Sequence, residues 1–456
     1  MTEEAAAPKL TARERMRDGP ILSTLAALTA PNLVALCSAA VITIAETAYV
    51  GRLGVAALGG VTLVFPVMML MQMMSAGAMG GGISGAVSRA LGADDVKRAE
   101  ALALCAVTIG LIGGLGFALV IWLLGPAIYG LLGGGGAALH EAIAYSNIAA
   151  LGVLAIWLTN TMASVARGSG NMVAPAAVVL GAGLLQISIG GALGLGLGPF
   201  PRLGVAGVAT GQVLGFSIAA FALLAILRAR SSRVRLRFAP GMLSAARFAD
   251  ILRVGLPGTL SPIFSVLAVL VLTASIARYG PEALAGYGIG ARLEFLLIPI
   301  AFSVGVAYVP MVGTAIGAGN IKRARDIAWT AGGVSMIALG LVSSIVIAAP
   351  DLWGRIFVSN EAVLDVTRQY LRIGGLGFPF FGLGLCLYFA SQGAGRVGGP
   401  IAAQALRFVI VAVGAWVLLQ MQAPLWALFA LSAFAMAALG LGSAAVVRFT
   451  PWQARH

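Results

Sequence analysis

Twelve long apolar segments follow one another along the chain. They lie at about 24–50, 56–82, 98–124, 141–165, 173–197, 204–228, 251–277, 283–312, 326–349, 362–390, 400–420 and 423–448. Each has about the 20 residues needed to cross a hydrocarbon layer of ~30 Å. Spanning β-strands would instead show about ten residues of alternating polarity. The pattern therefore predicts an all-α polytopic membrane protein of twelve transmembrane helices. Gly and Pro interrupt many of the segments, as in membrane helices generally, where small residues let backbones approach.

The chain also repeats itself. Arg89 to Ala99 (RALGADDVKRA) matches Thr314 to Ala324 (TAIGAGNIKRA), and Arg167 to Pro175 (RGSGNMVAP) matches Gln392 to Pro400 (QGAGRVGGP). Both pairs are 225 positions apart (314 − 89 and 392 − 167). Pro31 and Pro257 lie at nearly the same spacing. Six spans per repeat is an even number, so both halves enter the membrane in the same sense. Such parallel repeats are related by an axis along the membrane normal, with a cleft between or within them. The expected organisation is a tail (1–23), an N-lobe (24–228), a basic linker (229–250), a C-lobe (251–448) and a second tail (449–456).

Composition agrees with this reading. The 456 residues are 60% hydrophobic and 10% charged, against about 25% charged in soluble proteins. The formal charge of +13 does not indicate a nucleic-acid partner, because no basic patch with interleaved aromatics is present. Lys and Arg cluster instead in alternate loops, which places both termini on the cytoplasmic side. The tail with Lys9, Arg13, Arg15 and Arg17 leads into an apolar run longer than a signal-peptide core, so the first span is read as retained. The linker from Arg228 to Arg253 fixes topology, or also meets anionic lipid headgroups. Cys37, Cys105 and Cys386 all lie in apolar runs, and His140 and His456 are far apart. No disulfide framework or metal-ligand spacing is visible.

Two acids lie well inside spans, Glu46 and Glu294. An ionisable group at membrane depth normally faces a polar cavity and serves a function; the other reading of Glu46 is that it reaches water at the rim. A carboxylate in low dielectric is suited to binding and releasing a proton, because desolvation penalises its charged form. With hydroxyls and carbonyls it also holds Na⁺, and Thr43 and Thr47 are close enough in sequence to assist. Asn32 falls about 40° from Glu46 around a helix, so it either shares that cavity or makes a packing hydrogen bond. Glu294 follows Arg292 by two residues, which puts the two on different faces. It is either a second coupling acid or half of a buried ion pair. The repeat counterparts of Glu46 and Glu294 are near Leu272 and Met68, so this chemistry is not duplicated. Met68, Met69, Met71, Met73 and Met74 crowd the second span, and Phe378, Pro379, Phe380 and Phe381 the tenth. Met73, Phe378 and Phe381 are candidates for an adaptable, aromatic substrate surface, or else packing.

These features together resemble the multidrug and toxic compound extrusion (MATE) family of secondary transporters. Glu46-Thr47 with Gly51-Arg52-Leu53-Gly54 looks like the family's acid-Thr-x-x-x-Gly pattern in helix one, where the acid is usually Asp. Gly290-Ala291-Arg292-Leu293-Glu294 looks like the Arg-x-Glu of helix eight in bacterial members. Gln392 to Pro400 with its first-half partner, and Gly198-Pro199-Phe200-Pro201 leading into Leu203 to Gly207, complete the resemblance, which covers nearly the whole chain. It implies two six-helix lobes around a central cleft in a bacterial inner membrane. It implies efflux of small organic, often cationic compounds in exchange for H⁺ or Na⁺, with no other cofactor. Membrane lipids and substrate are the expected partners of a monomer. The sequence departs from the family where many members carry Asn and then Asp in helix five. Gln186 and Gly190 stand there, so a second N-lobe acid is missing and a lone Glu46 leans toward H⁺. A flippase for lipid-linked saccharides or cell-wall precursors is the nearest alternative. An intramembrane enzyme or receptor is remote, since no nucleophile–base pair or metal set is present.

Overall fold

The computed structural model describes residues 12–452. Lys9, Arg455 and His456 lie outside the described residues, as do the side chains of Arg13, Arg15 and Cys37. Twelve membrane-length helices account for nearly all of the rest. They are α1 Ile21–Gly51, then α2 Val55–Gly92, α3 Val96–Leu131, α4 Gly136–Gly168, α5 Val173–Leu195 and α6 Val205–Arg228. The second half follows with α7 Ala245–Tyr279, α8 Pro281–Gly317, α9 Ile321–Ala348, α10 Glu361–Ala394, α11 Gly398–Gln420 and α12 Leu425–Phe449. The structure contains no strand among the described residues. Large apolar side chains such as Leu123, Phe221, Ile337 and Trp416 stay exposed on the outside, where a membrane protein meets lipid rather than water.

The duplication is written in the backbone. Residues with positive φ recur at the repeat spacing: Gly54 with Gly280, Asp94 with Gly319, Gly170 with Gly395, and Gly196 with Gln422. The α1–α2 and α7–α8 corners both turn on glycine, at φ 119° and 108°, a region side chains with a Cβ rarely enter. The starts of α3 and α9 match as well. Asp95 Oδ1 accepts from the Arg98 amide at 2.9 Å, and Asn320 Oδ1 from the Arg323 amide at 3.0 Å. These are the side-chain N-caps that Asp and Asn make best.

Packing repeats too. In the first half α1 packs on α5, α2 on α4, α3 on α4, and α6 on both α4 and α5; in the second half the corresponding pairs α7–α11, α8–α10, α9–α10, α10–α12 and α11–α12 are all formed. The linker is tied to the N-lobe. Val234 and Leu236 are buried in its core, and Arg98 pairs with Asp250 at 2.6 Å.

The main contacts between lobes lie at one end, where α2 and α8 finish. Here α2 runs on to Gly92, ten residues beyond the expected boundary at 82. Its polar last turns are not a loop, because Ser84 and Ser88 are buried. A Cβ on Gly92 would strike the Thr314 carbonyl, and one on Gly317 the Arg89 carbonyl. Gly92 and Gly317 are 225 apart, as are Arg89 and Thr314, so the contact is made twice with the roles exchanged. Gly313 and Gly317 form the small-xxx-small spacing that lets membrane helices touch backbone to backbone. Away from this end, the half of α2 before Met73 packs within its own lobe.

The middle of α2, Met73–Met79, is a π-helical stretch. Such widened turns free backbone carbonyls and often sit at functional sites. Asn160 of α4 braces it from one side, donating to Ser75 Oγ at 2.8 Å and Gln72 Oε1 at 3.2 Å.

Candidate functional site: one intramembrane acid in each lobe

Glu46 is five residues before the end of α1, about 7–8 Å along the axis from that end. The carboxylate turns into the lobe. Its Oε2 accepts from Gln186 Nε2 of α5 at 2.7 Å, and its Oε1 from the Tyr145 hydroxyl of α4 at 3.3 Å. The Tyr145 oxygen is also 3.3 Å from the Gln212 amide of α6. The contact atom there is Oε1, so Glu46 and Gln212 share the single phenolic proton. Three helices thus meet at one carboxylate, with α6 behind Tyr145, and both of its oxygens face donors.

The position of the missing helix-five acid is filled differently. A Cβ on Gly190 would lie 3.2 Å from the Tyr49 hydroxyl and 3.1 Å from the Val208 carbonyl. Among the described residues the Tyr49 hydroxyl is itself buried with no hydrogen-bond partner. A phenol from α1 therefore occupies the space into which a side chain on α5 would project.

Several sequence candidates stand apart from Glu46. Thr43 and Thr47 are exposed, and the Thr47 hydroxyl turns back to the Thr43 carbonyl at 2.8 Å. Asn32 is buried about 21 Å further down the helix, where its amide approaches the Leu28 carbonyl at 3.3 Å and Met172 Sδ at 3.5 Å. It makes the packing contact, not the shared cavity.

Glu294 lies mid-helix on α8, with its side chain 10% exposed. Its Oε2 accepts from the Tyr370 hydroxyl of α10 at 3.2 Å. Its Oε1 is 3.5 Å from Arg407 Nη2 of α11. The Arg407 guanidinium in turn lies 5.3 Å from the centre of the Phe381 ring. Arg292, about 200° away around α8, is exposed and sits over Phe357 instead.

A cavity of about 280 Å³ opens between α2, α7, α8, α10 and α11. Glu294, Arg407, Met73 and Phe381 all line it, with Phe65, Phe302 and Tyr388 among the apolar walls. Glu46 is not among its lining residues. Phe378 is fully buried in the C-lobe core rather than in the cavity wall, and Met71 likewise packs in the N-lobe core. Among the described residues no group of three or more His, Cys, Asp or Glu is placed to hold a metal ion.

The sequence reading missed Tyr145, Gln212 and Tyr49. The amide of Gln212 in an apolar helix was a usable signal. Tyr145 carried none, because a tyrosine near a helix end is ordinary at a membrane interface.

Comparison with known proteins agrees with the duplicated architecture. The family model MatE matches residues 31–191 and again residues 257–417. The chain belongs to the MATE family of transporters. The two matches are offset by 226 positions (257 − 31), close to the spacing of the repeated motifs. A probable multidrug resistance protein NorM of Deinococcus radiodurans is 28% identical over 428 residues, covering 87% of this chain and 89% of that protein. A FAD transporter of Shewanella oneidensis is 25% identical over 323 residues, 69% of each chain. The fold matches a MOP superfamily transporter from Pyrococcus furiosus with a TM-score of 0.88 at 20% identity, over 97% of this chain and 98% of that one. It also matches an outward-facing multidrug resistance MATE transporter, with a TM-score of 0.86 at 20% identity over the same shares. The resemblance drawn from the motifs is thus the family itself, and the chain is a multi-pass membrane protein of a transporter family.

Proposed function

We propose that this MATE chain is a secondary exporter of organic, cationic or amphipathic compounds, driven by protons that load and leave at Glu46. The observation that carries the proton reading is the set of neighbours around that carboxylate. Gln186 and Tyr145 both present hydrogen-bond donors to it. A hard cation asks for a shell of oxygen lone pairs, and donors repel it. A proton needs one oxygen. The multidrug resistance proteins among the relatives support export.

Orientation follows from charge. Arg98, Arg228 to Arg253, Lys322 to Arg325, Arg396 and Arg448 lie at the end where the lobes touch, and positive residues favour the cytoplasm. This puts both termini inside, in the inner membrane of a bacterium. It also makes the described conformation closed inward, one half of an alternating-access cycle. The chain acts as a monomer in contact with lipid.

A flippase for anionic lipid-linked precursors asks for a cationic cavity. Among the described residues a single cation, Arg407, lines it, too few for a multiply charged precursor, so the exporter is preferred.

The test is dye efflux from proteoliposomes under imposed pH or Na⁺ gradients. A pH gradient drives efflux, a Na⁺ gradient alone does not, and Glu46→Gln abolishes it in protein that still reconstitutes. Efflux driven by Na⁺ alone would overturn the proton reading.

A further inference from the structure

Arg407 is an unusual side chain for its surroundings. It sits mid-way along α11, 5% exposed, at the wall of a cavity whose other lining is almost wholly apolar. A guanidinium carries five N–H donors in a fixed fork. Among the described residues this one makes no hydrogen bond; its ion-pair partner is Glu294 Oε1, 3.5 Å from Nη2. A charge-assisted hydrogen bond is about 2.7–2.9 Å, so the pair is loose.

Glu294 has a better partner. Its other oxygen takes the Tyr370 hydroxyl at 3.2 Å. The amide of Gln404, one turn before Arg407, is committed to Ser265. Phe381 covers one face of the guanidinium. What remains is a sheltered cation with donors to spare along the cavity wall. Those donors reach the cavity space, and a ligand that accepts from them there makes the charge-assisted bond that the loose ion pair leaves open.

We propose that Arg407 is a subsite for an oxyanion, and that the cavity takes aromatic amphiphiles bearing a carboxylate or phosphate group. The fork of Arg407 receives the acid, and the rings lie among Phe65, Phe302, Phe381 and Tyr388. A volume of about 280 Å³ suits a compact fused-ring acid. The proposal deepens the export reading by naming a substrate class. It rests on that reading for movement across the membrane, but not for binding.

The experiment measures binding to the full-length protein in detergent, with no gradient, using three probes of one skeleton. These are 1-naphthylacetate, 1-naphthyl phosphate and 2-(1-naphthyl)ethylamine. The expected result is tighter binding of at least one acid than of the amine, by tenfold or more; which acid wins separates carboxylate from phosphate. Arg407→Gln weakens the acids at least tenfold and leaves the amine within about twofold. Glu294→Gln, which removes the competing carboxylate, tightens the acids severalfold. Amine binding as tight as that of both acids would overturn the proposal, as would weaker acid binding in Glu294→Gln. If Arg407→Gln does not fold, the Glu294→Gln comparison still decides. Acid-selective binding without gradient-driven transport would defeat the export reading and leave the subsite standing. Transport without acid-selective binding would do the reverse.

Discussion

Arg89 and Gln392 hold each other's helices across the lobe boundary. Arg89 Nη1 at the end of α2 donates to the Gln392 carbonyl at 3.2 Å and the Gly393 carbonyl at 2.8 Å, at the end of α10. The Gln392 side chain donates back to the Gly77 carbonyl at 3.3 Å, within the π-helical stretch of α2. A cation at a helix C-terminus is favoured by the dipole as well as by the hydrogen bonds. One clasp therefore joins the closed end of the molecule to the widened turn beside the cavity.

Releasing that clasp should open the closed end. Hydrogen bonds from a charged donor contribute about 1.5–3 kcal/mol. Arg89→Met removes them while keeping an apolar stem, and the arrangement closed at this end should lose a comparable amount. Amide exchange at residues 85–92 and 313–317, followed by mass spectrometry, is expected to quicken tenfold or more. Unchanged exchange there would mean that the glycine contacts alone keep the end shut.

Those contacts give a second prediction. Gly317→Ala puts a methyl group on the Arg89 carbonyl, with backbone at Ala93 also close by at 3.0 Å. Overpacking of this kind costs about 1–3 kcal/mol. Gly333→Ala on α9 meets nothing within 4 Å and should be neutral. Thermal unfolding of the two variants in detergent, side by side with the parent, reads the difference.

The N-lobe acid supports a third. Glu46→Gln keeps the shape of the site and removes its charge, so transport driven by a pH gradient should fall at least tenfold while binding of an uncharged dye persists. Tyr145→Phe removes one of the two donors and should shift the pH dependence of efflux without abolishing it. Gly190→Asp does not simply restore a two-acid site. Its Cβ alone would sit tightly, 3.2 Å from the Tyr49 hydroxyl and 3.1 Å from the Val208 carbonyl, and unless these give way the crowding costs about 1–3 kcal/mol. The pairing of Gly190→Asp with Tyr49→Phe does not rescue stability if the Val208 backbone is the limiting contact, and melting temperatures show which.

The outer α9–α10 corner is pH-sensitive in a defined sense. Arg368 donates to Asp351 at 2.7 Å and also reaches Glu361 and Asp365. The hydrogen bond from Arg368 lowers the Asp351 carboxyl below its ordinary value of 3.8. A carboxyl lowered by folding contributes stability above its unfolded value, and that contribution fades as pH falls through the lower folded value. Corrected for the intrinsic pH dependence of amide exchange, opening at residues 349–361 should therefore be flat near neutral pH and rise only below about 3.8. Asp351→Asn should exchange faster at neutral pH and lose that acid-dependent rise.

Much of this architecture was legible because membrane helices announce themselves by length and apolarity. All twelve helices fall where the apolar runs predicted them, and the 225-residue repeat reappears in turn geometry and caps. The ends were less legible. Ser84 to Gly92 reads as a polar loop, yet it is helix, because its polar groups are buried against the other lobe. The site was half legible. Glu46 and Glu294 stand out as lone charges, and Gln186 fell in place through the family pattern. Their remaining partners come from helices up to 113 residues away, as Arg407 does from Glu294, and nothing local marks such a pairing. Arg292 is the instructive failure. Nearest in sequence to Glu294, it points away, because a helix turns about 200° in two residues.

The glycine contact at the closed end has a consequence for pairing between halves. Gly92 meets Thr314 as Gly317 meets Arg89, which is the self-complementary form of an isologous dimer interface. A half-length chain carrying that one glycine would have the means to pair with a second copy of itself. Held in one chain, the two halves are free to differ, as they do with Glu46 in one and Glu294 facing Arg407 in the other.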